Sequence, residues 1–379
     1  MNPTLITFFL AYFVALIPLP LIISIASRHG FLDRPGFRKI HSSPVPRLGG
    51  LSVFLGIWGS WFFFITRNPD HFPYESHGMF VGLFLASLII WVLGIYDDLV
   101  GANAWKKFLV QIVAAIIVVR SGLEIRLLSN PFGSGEFILN SRPLIWVLTV
   151  GWIVFITNSI NLIDGLDGLA SGVCFITSLT LYFIARDLGS PHLPFFALAI
   201  AGSCLGFLMF NFAPARIFLG DSGSLVLGFL LACLSIMGTA KRSTAIVMFG
   251  PPIILALPLV DTLLAIPRRF FRDQPRDARS VFRLFCSPRQ LLLRLREVFS
   301  ADQEHIHHGL LKIGLSHRSA VVILYMVTML LGLTAYGTAV KNLLTGSIML
   351  FIALSLALIW LRRRVKRTKL EDEKVEGGP

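Results

Sequence analysis

The sequence predicts an all-α polytopic integral membrane protein with about eleven transmembrane helices. Of its 379 residues 55% are hydrophobic and 15% are charged, and the mean hydropathy of +0.74 lies above the range of soluble proteins. The apolar residues form continuous runs close to the roughly 20 residues that a membrane helix needs. Because these runs do not alternate with polar residues, a membrane β-barrel is excluded.

The predicted spans follow one another with short loops between most of them. They cover about 4–26, 49–66, 79–96, 108–119, 144–163, 170–185, 193–212, 224–240, 244–266, 319–340 and 343–361. The first run is too long for a signal peptide and lacks a small-residue cleavage site, which indicates a retained helix. We therefore expect one transmembrane domain over residues 1–361, followed by a basic and then acidic tail over 362–379.

The distribution of basic residues orients the spans. With the N-terminus outside, the inward segments are 27–48, 97–107, 164–169, 213–223, 267–318 and the tail after 361. By count they hold 26 of the 34 lysines and arginines, which is the positive-inside pattern. The C-terminus is then cytoplasmic. A net charge of +13 is also found in nucleic-acid binders, but charge gathered at one membrane face fits anionic lipid instead, so no nucleic-acid partner is expected.

Two segments interrupt the pattern of helices and short loops. Residues 121–143 contain Pro131 and three glycines and are expected to form an outward loop, with a hairpin as one option. Residues 267–318 form the largest inward segment. Its stretch SPRQLLLRLREVFS fits either a basic helix on the membrane surface or a loop helix packed on the protein.

Four polar clusters lie at the inward ends of the spans. They are Asp97 and Asp98 with Lys106 and Lys107, the run NSINLIDGLDG from Asn158 to Gly168, NFAPARIFLGDSGS from Asn211 to Ser224, and EHIHH from Glu304 to His308. Ionisable groups at membrane depth are usually functional. Their common position indicates a site where a polar substrate meets a lipid.

The Asp97–Asp98 pair is the first candidate. A single aspartate at a helix end is often only an interface residue. Two adjacent carboxylates repel one another, however, and need a cation or a metal nearby. Lys106 and Lys107 follow closely in the sequence and can supply that charge.

In NSINLIDGLDG the polar residues are spaced for one helix face. Asn158 and Asn161 are three apart, as are Asp164 and Asp167. The glycine after each aspartate breaks the helix and allows a ligand to approach the backbone. The asparagines alone could instead bond across helices, which is a common structural use of amides in membranes.

The run GDSGS opens a span. Asp221 or Ser222 is expected to cap that helix, while Gly220 and Gly223 leave backbone amides open for an anion such as phosphate. This predicts a phosphate site at the helix N-terminus.

The cluster EHIHH offers three histidines, His305, His307 and His308, beside Glu304. They could bind a transition metal, but no further ligand stands at a recognisable spacing, and phosphate contact together with nearby arginines fits equally well. The four cysteines show no spacing typical of disulfides or zinc.

Taken in order, DDLVGANAWKK, NSINLIDGLDGLASG, NFAPARIFLGDSGSL, PLVDTLLAIPRR and HIHHGLLKIG resemble the polyprenyl-phosphate N-acetylhexosamine-1-phosphate transferases. The resemblance runs from about residue 30 to 320 and includes RKIHSSPVPRLGGL. The HIHH form is similar to the branch that starts O-antigen, enterobacterial common antigen and teichoic acid linkers. The phospho-MurNAc-pentapeptide transferase branch usually carries three consecutive histidines. The stretch from Arg269 to His305 is longer than usual, in the loop thought to read the sugar.

The resemblance implies an active site at the cytoplasmic face. It implies transfer of a sugar 1-phosphate, with GlcNAc-1-phosphate expected, from a UDP-sugar to polyprenyl (undecaprenyl) phosphate with release of UMP. It assigns Mg²⁺, with Mn²⁺ as an alternative, to Asp221 and Asn161. Lys107 would steady phosphate oxygens, Phe218 would stack on uracil, and Asp167 would lie near the nucleoside. The expected catalytic residues are Asp97, Asp98, Lys107, Asp164, Asp167, His305, His307 and His308, and the expected binding residues are Asn158, Asn161, Phe218, Gly220 and Ser222.

Asp97 and Asp98 admit two roles, nucleophile or base. Since a phosphate monoester has a second pKa of about 6, the lipid phosphate is mostly dianionic at neutral pH and hardly needs a base. We therefore expect one-step attack by the lipid phosphate, with the aspartates removing a residual proton and positioning the phosphate. A cation-coupled transporter or lipid flippase is the main rival, but such proteins place carboxylates near the midplane, often within inverted repeats. A structural scaffold leaves the Asp-Gly motifs unexplained. The oligomeric state stays open, with a homodimer as one option.

Overall fold

The computed structural model of the protein describes residues 3–33, 44–69, 74–129, 136–239, 255–270, 309–311 and 313–341. The helices are α1 (Pro3–Leu16), α2 (Leu19–His29), α3 (Gly49–Arg67), α4 (Tyr74–Val100), α5 (Ala104–Arg120), α6 (Arg142–Ile163), α7 (Leu169–Asp187), α8 (Leu193–Asn211), α9 (Gly220–Thr239), α10 (Ala256–Phe270) and α11 (His317–Tyr336). A π-helical turn, Gly337–Lys341, extends α11.

Eight segments of the described chain are helical, long and apolar enough to cross a membrane. They are Pro3–His29, Gly49–Arg67, His77–Val100, Arg142–Ile163, Leu169–Asp187, Leu193–Asn211, Gly220–Met237 and His317–Val340. Each coincides with a predicted span, so the prediction of a nearly all-helical polytopic membrane protein is confirmed. Of the other three, 108–119 lies in the 17-residue α5, 244–266 overlaps the start of α10, and 343–361 lies outside the described residues, as does the tail.

The first predicted span consists of two helices rather than one. Helix α1 ends at Leu16, and α2 begins at Leu19 after Pro18. Pro18 and Pro20 lack the N–H that a continuous helix requires, so the hydrogen-bond ladder is interrupted between α1 and α2. Hydrophobicity alone does not reveal this break.

Two short antiparallel hairpins accompany the helices. Strand β1 (Leu32–Asp33) pairs with β2 (Val45–Pro46) just before α3. Strand β3 (Leu127–Ser129) pairs with β4 (Glu136–Ile138) between α5 and α6, with Leu128 opposite Phe137. The second hairpin confirms the option raised for residues 121–143.

Helix α9 lies at the centre of the bundle. It packs against α3, α4, α6 and α7, and its side chains from Leu225 to Leu234 are buried. The start of α3 and the last turns of α4 and α6 lie against the N-terminus of α9, where the GDSGS motif begins.

Candidate active site

The segment leading into α9 is held against the start of α3 by backbone hydrogen bonds. The Phe218 N–H donates to the Pro46 carbonyl at 2.8 Å, and the Gly49 N–H donates to the Phe218 carbonyl at 3.0 Å. The Gly50 N–H donates to the Leu219 carbonyl at 2.9 Å. These bonds fix where α9 begins.

Glycines on two neighbouring helices allow close approach to the first turn of α9. A Cβ added to Gly94 of α4 would lie 2.3 Å from the Ser222 Cα, and one added to Gly50 of α3 would lie 2.3 Å from the Gly223 nitrogen. The backbones of α3 and α4 therefore both contact the backbone of the first turn of α9. Sequence analysis assigned these glycines no role, although small residues within apolar runs are typical of tight helix packing in membranes.

We expect Gly94→Ala to destabilise the protein by roughly 1–3 kcal/mol, because its methyl group must displace the α9 backbone. Activity should fall with it, since the displaced turn carries Asp221. Gly151→Ala in α6 is the matched control, because a Cβ there meets nothing within 4 Å. Thermal unfolding in detergent and turnover of both variants measure the effect. Equal behaviour of the two variants would contradict the packing argument.

Asp98 of α4 caps α9. Its Oδ1 accepts the Asp221 N–H at 2.8 Å, and its Oδ2 accepts the Ser222 N–H at 3.0 Å. Free amides at a helix N-terminus attract negative charge, and here a carboxylate from another helix satisfies two of them. The predicted cap by Asp221 or Ser222 is therefore wrong.

The sequence analysis expected open amides at Gly220 and Gly223, and that expectation stays a prediction, because Asp98 accepts the N–H groups of Asp221 and Ser222. The Ser222 N–H is used by Asp98. Gly220 has φ of +71° and makes room for the protein itself, since a Cβ there would lie 2.5 Å from both the Arg47 carbonyl oxygen and an Asp98 carboxylate oxygen. This glycine permits the contact with Asp98.

Lys107 of α5 joins two of the predicted carboxylates. Its Nζ lies 2.5 Å from Asp97 Oδ2 and also forms an ion pair with Asp221 Oδ2. The second Asp97 oxygen accepts the Ala102 N–H at 2.5 Å. The side chains of Lys107, Asp97 and Asp221 are 21%, 15% and 24% exposed, so a ligand can reach them. Lys106 is exposed.

Asn161 of α6 reaches the same carboxylate from the opposite side. Its Nδ2 donates to Asp221 Oδ1 at 3.1 Å and to Ser224 Oγ at 2.9 Å. Neither bond uses the Asn161 carbonyl oxygen. The structure thus brings Asp97, Lys107 and Asn161, from three different helices, around Asp221.

Asn158 does not join this group. Its Nδ2 donates to Gln111 Oε1 at 2.6 Å, and Gln111 Nε2 donates back to Asn158 Oδ1 at 3.3 Å, which links α5 to α6. Positions three apart on a helix differ by about 60° in direction, enough for one asparagine to face α9 and the other α5. The helix-linking use of Asn158 is thus what the structure shows, and its assignment as a binding residue stays a prediction.

Asp164 lies in the turn after α6. Burial raises the pKa of its carboxyl well above the usual range, and the charges of Asp221 and Asp98 add to the rise while Arg47 opposes it. Several carboxylates thus share a partly water-excluded space with few fixed cations. Such a space favours an additional positive charge.

Asp167 and Gly168 fasten the turn after α6 to the segment before α9. Asp167 Oδ2 accepts the Ala215 N–H at 2.9 Å. The Gly168 N–H donates to Asn211 Oδ1 at 3.1 Å, and Asn211 Nδ2 donates to the Ile217 carbonyl at 2.9 Å. Asn211, whose importance sequence analysis missed, is the last residue of α8 and is buried.

The remaining predicted residues are His305, His307 and His308, which lie outside the described residues. Among the residues that are described, no three histidine, cysteine or acidic side chains converge as metal ligands. Mg²⁺, however, takes only one or two protein oxygens and completes its shell with water and substrate phosphates. The Asp221 carboxylate and the unused Asn161 carbonyl oxygen are of the required type, so the donor set fits Mg²⁺.

Comparisons with known proteins match most of the chain. The family model described as Glycosyl transferase family 4 matches residues 80–239, which include Asp97, Lys107, Asn161 and Asp221. A Bacillus subtilis (strain 168) protein named "Probable undecaprenyl-phosphate N-acetylglucosaminyl 1-phosphate transferase" is 37% identical over 330 residues, covering 87% of this chain and 83% of the relative.

Two further relatives are more distant. A Mycobacterium tuberculosis (strain ATCC 25618 / H37Rv) decaprenyl-phosphate N-acetylglucosaminephosphotransferase is 36% identical, with 83% of this chain and 76% of the relative covered. An Escherichia coli O157:H7 undecaprenyl-phosphate alpha-N-acetylglucosaminyl 1-phosphate transferase is 26% identical, with 93% and 91% covered. With identity above 30% over most of its length, this chain belongs to glycosyl transferase family 4, among the polyprenyl-phosphate N-acetylglucosamine-1-phosphate transferases.

Proposed function

We propose that the protein transfers GlcNAc-1-phosphate from UDP-GlcNAc to polyprenyl phosphate and releases UMP. The observation that carries the proposal is the meeting of Asp97, Lys107 and Asn161 at Asp221, where α9 begins. The names of the relatives support GlcNAc as the sugar and a polyprenyl phosphate as the acceptor. The eight apolar helical segments support a lipid substrate taken from the membrane.

In the proposed reaction an oxygen of the lipid phosphate bonds to the phosphorus that carries the sugar. The bond from that phosphorus to the bridging oxygen breaks, and UMP leaves with this oxygen and its electron pair. Mg²⁺, or Mn²⁺ in its place, held by Asp221 and the Asn161 carbonyl oxygen, would neutralise charge on the pyrophosphate. Because the acceptor is already dianionic near neutral pH, no covalent intermediate and no strong base are required.

The protein's own residues bind and orient the two substrates. Lys107 brings an ammonium group beside Asp97 and Asp221, where it can steady phosphate oxygens. Phe218 has a fixed backbone and is assigned to stacking on uracil, and Asp167 to the nucleoside side of the site. Arginine and histidine residues of the segment 267–318 are assigned to the sugar and its phosphate.

The decisive experiment measures UMP. Purified protein in vesicles with UDP-GlcNAc, polyprenyl phosphate and Mg²⁺ should release UMP in proportion to the lipid consumed. UDP-MurNAc-pentapeptide in the same assay tests the peptidoglycan alternative. Solute uptake or lipid reorientation without any UMP would favour a transporter or flippase and overturn the proposal.

We further propose that the site faces the cytoplasm in a bacterial inner membrane, with the N-terminus outside. In a Cys286→Ala background, a cysteine at exposed Lys106 should react with an impermeant maleimide only from the cytoplasmic side. A cysteine at exposed Asn140, after the β3–β4 hairpin, should react only from outside. Cys174, Cys204 and Cys233 are buried and should not react with the maleimide. The reverse labelling pattern would contradict the orientation.

A further inference from the structure

The N-terminus of α11 contacts both loops that border the nucleotide side of the site. His317 Nε2 accepts the Asp167 N–H at 2.8 Å. Arg318 Nε donates to the Ala213 carbonyl at 2.8 Å. Asp167 in turn accepts the Ala215 N–H, so the two contacts belong to one connected set of hydrogen bonds.

A third residue of α11 reinforces this arrangement. The Tyr325 hydroxyl, two turns further along, donates to the Gly168 carbonyl at 2.5 Å. Gly172 of α7 leaves room for it, since a Cβ there would lie 2.1 Å from the Tyr325 ring and hydroxyl. The turn at Asp167 and Gly168 is thus held by α11 through two separate atoms of its backbone.

We infer that His317 and Arg318 are positioning residues for the nucleotide-binding segment, an inference that rests on the proposed function. They contact the backbone at Asp167 and Ala213, and they fix the segment 213–219 that places Phe218 and leads into Asp221. The hydrogen bonds on which this role rests end on backbone atoms of the two loops. His317 and Arg318 are the last two residues of the inward segment 267–318, so these contacts attach the end of that segment to the nucleotide side.

The physical requirement on residue 317 is specific. An acceptor atom must face the Asp167 N–H, and histidine supplies it as the ring nitrogen Nε2 with the proton on Nδ1. Glutamine can supply an amide oxygen in a similar position, whereas alanine leaves the N–H without a partner. His317→Gln is therefore the conservative variant and His317→Ala the disruptive one.

We expect His317→Ala to raise KM for UDP-GlcNAc about tenfold and to change kcat by less than about twofold. Contacts to the nucleoside are equal in the bound substrate and in the transition state, so their loss appears in KM. His317→Gln should restore KM to within about threefold of the wild type. Arg318→Ala should shift KM in the same direction through the other contact.

Ser316→Ala is the matched control. Ser316 caps the same helix end through the Ser319 N–H but does not contact either loop. It should lower thermal stability and leave KM unchanged. An unchanged KM in both His317→Ala and Arg318→Ala, or an equal rise in Ser316→Ala, would overturn the positioning role.

Amide hydrogen exchange separates this inference from the proposed function. Peptides covering 164–168 and 213–219 should exchange faster in His317→Ala than in His317→Gln, with or without turnover of UDP-GlcNAc. If the wild type releases no UMP, the proposed function fails. The exchange data then still decide whether His317 positions these two segments. Identical exchange in the two variants would overturn the inference even in an active enzyme.

Discussion

Replacing Asp221 with asparagine is expected to reduce turnover by about 100-fold or more, equivalent to about 2.7 kcal/mol of transition-state stabilisation. The carboxylate is contacted by Lys107 on one oxygen and Asn161 on the other, and it is the proposed Mg²⁺ ligand. An amide of the same shape keeps the packing but removes the negative charge. Added Mg²⁺ should recover little activity, because the ligand itself is changed. UMP release over a Mg²⁺ series measures this.

The control for Asp221→Asn is Asp187→Asn at the end of α7. Asp187 forms an ion pair with the half-exposed Arg186, of the kind that contributes at most about 1 kcal/mol. Its variant should insert and turn over normally. Near-normal activity of correctly inserted Asp221→Asn protein would contradict Asp221 as the metal ligand. Asp97, Asp98 and Asp164 would then be the remaining candidates.

Asp98→Asn is expected to lose activity at every pH and to lower the free energy of unfolding by roughly 1–3 kcal/mol. The two carboxylate oxygens of Asp98 accept the N–H groups of Asp221 and Ser222. An asparagine has one acceptor oxygen, so its NH₂ group must face one of the two amides. The start of α9 then shifts, and Asp221 shifts with it. Thermal unfolding and a pH series of UMP release test both statements.

This result separates three roles for Asp98. A pure general base predicts recovery of Asp98→Asn as pH rises above about 6, together with normal stability. A covalent nucleophile predicts lost activity, normal stability, and a phosphosugar adduct when wild-type enzyme meets UDP-GlcNAc without lipid. A helix cap predicts lost activity and lost stability with no adduct. Asp97→Asn is the comparison, since Asp97 accepts from Lys107 and the Ala102 N–H, whereas Asp98 accepts two main-chain N–H groups of α9.

The sequence predicted which residues carry charge in the site but not which way each one points. Asp97, Lys107, Asn161 and Asp221 were identified by type and order, and the structure brings them together. Asn158 does not join them, because a spacing of three residues does not determine which neighbouring helix a side chain meets. Asn158 faces α5 because its amide bonds to Gln111, and nothing in the sequence pairs these two residues.

The prediction that α9 is capped by its own Asp221 or Ser222 failed for a related reason. GDSGS reads as a self-capped helix with free amides when it is considered alone. The competing anion, Asp98, comes from a helix more than 120 residues earlier, and Gly94 allows that helix to approach the start of α9. Long-range pairing of this kind leaves only a weak signal in a single sequence, namely glycines in otherwise apolar runs.

The occupied N-terminus of α9 has a consequence for product release. Under the proposed reaction both products carry phosphate, and a row of fixed main-chain amides would retain them strongly. Because Asp98 accepts two of those N–H groups, the proposed reaction leaves phosphate with the Lys107 ammonium group and with a divalent ion that would exchange with solvent. Under the same proposal, the carboxylate that orders the helix would keep the site from retaining UMP, and the rate of product release would depend on the exchange of the metal ion.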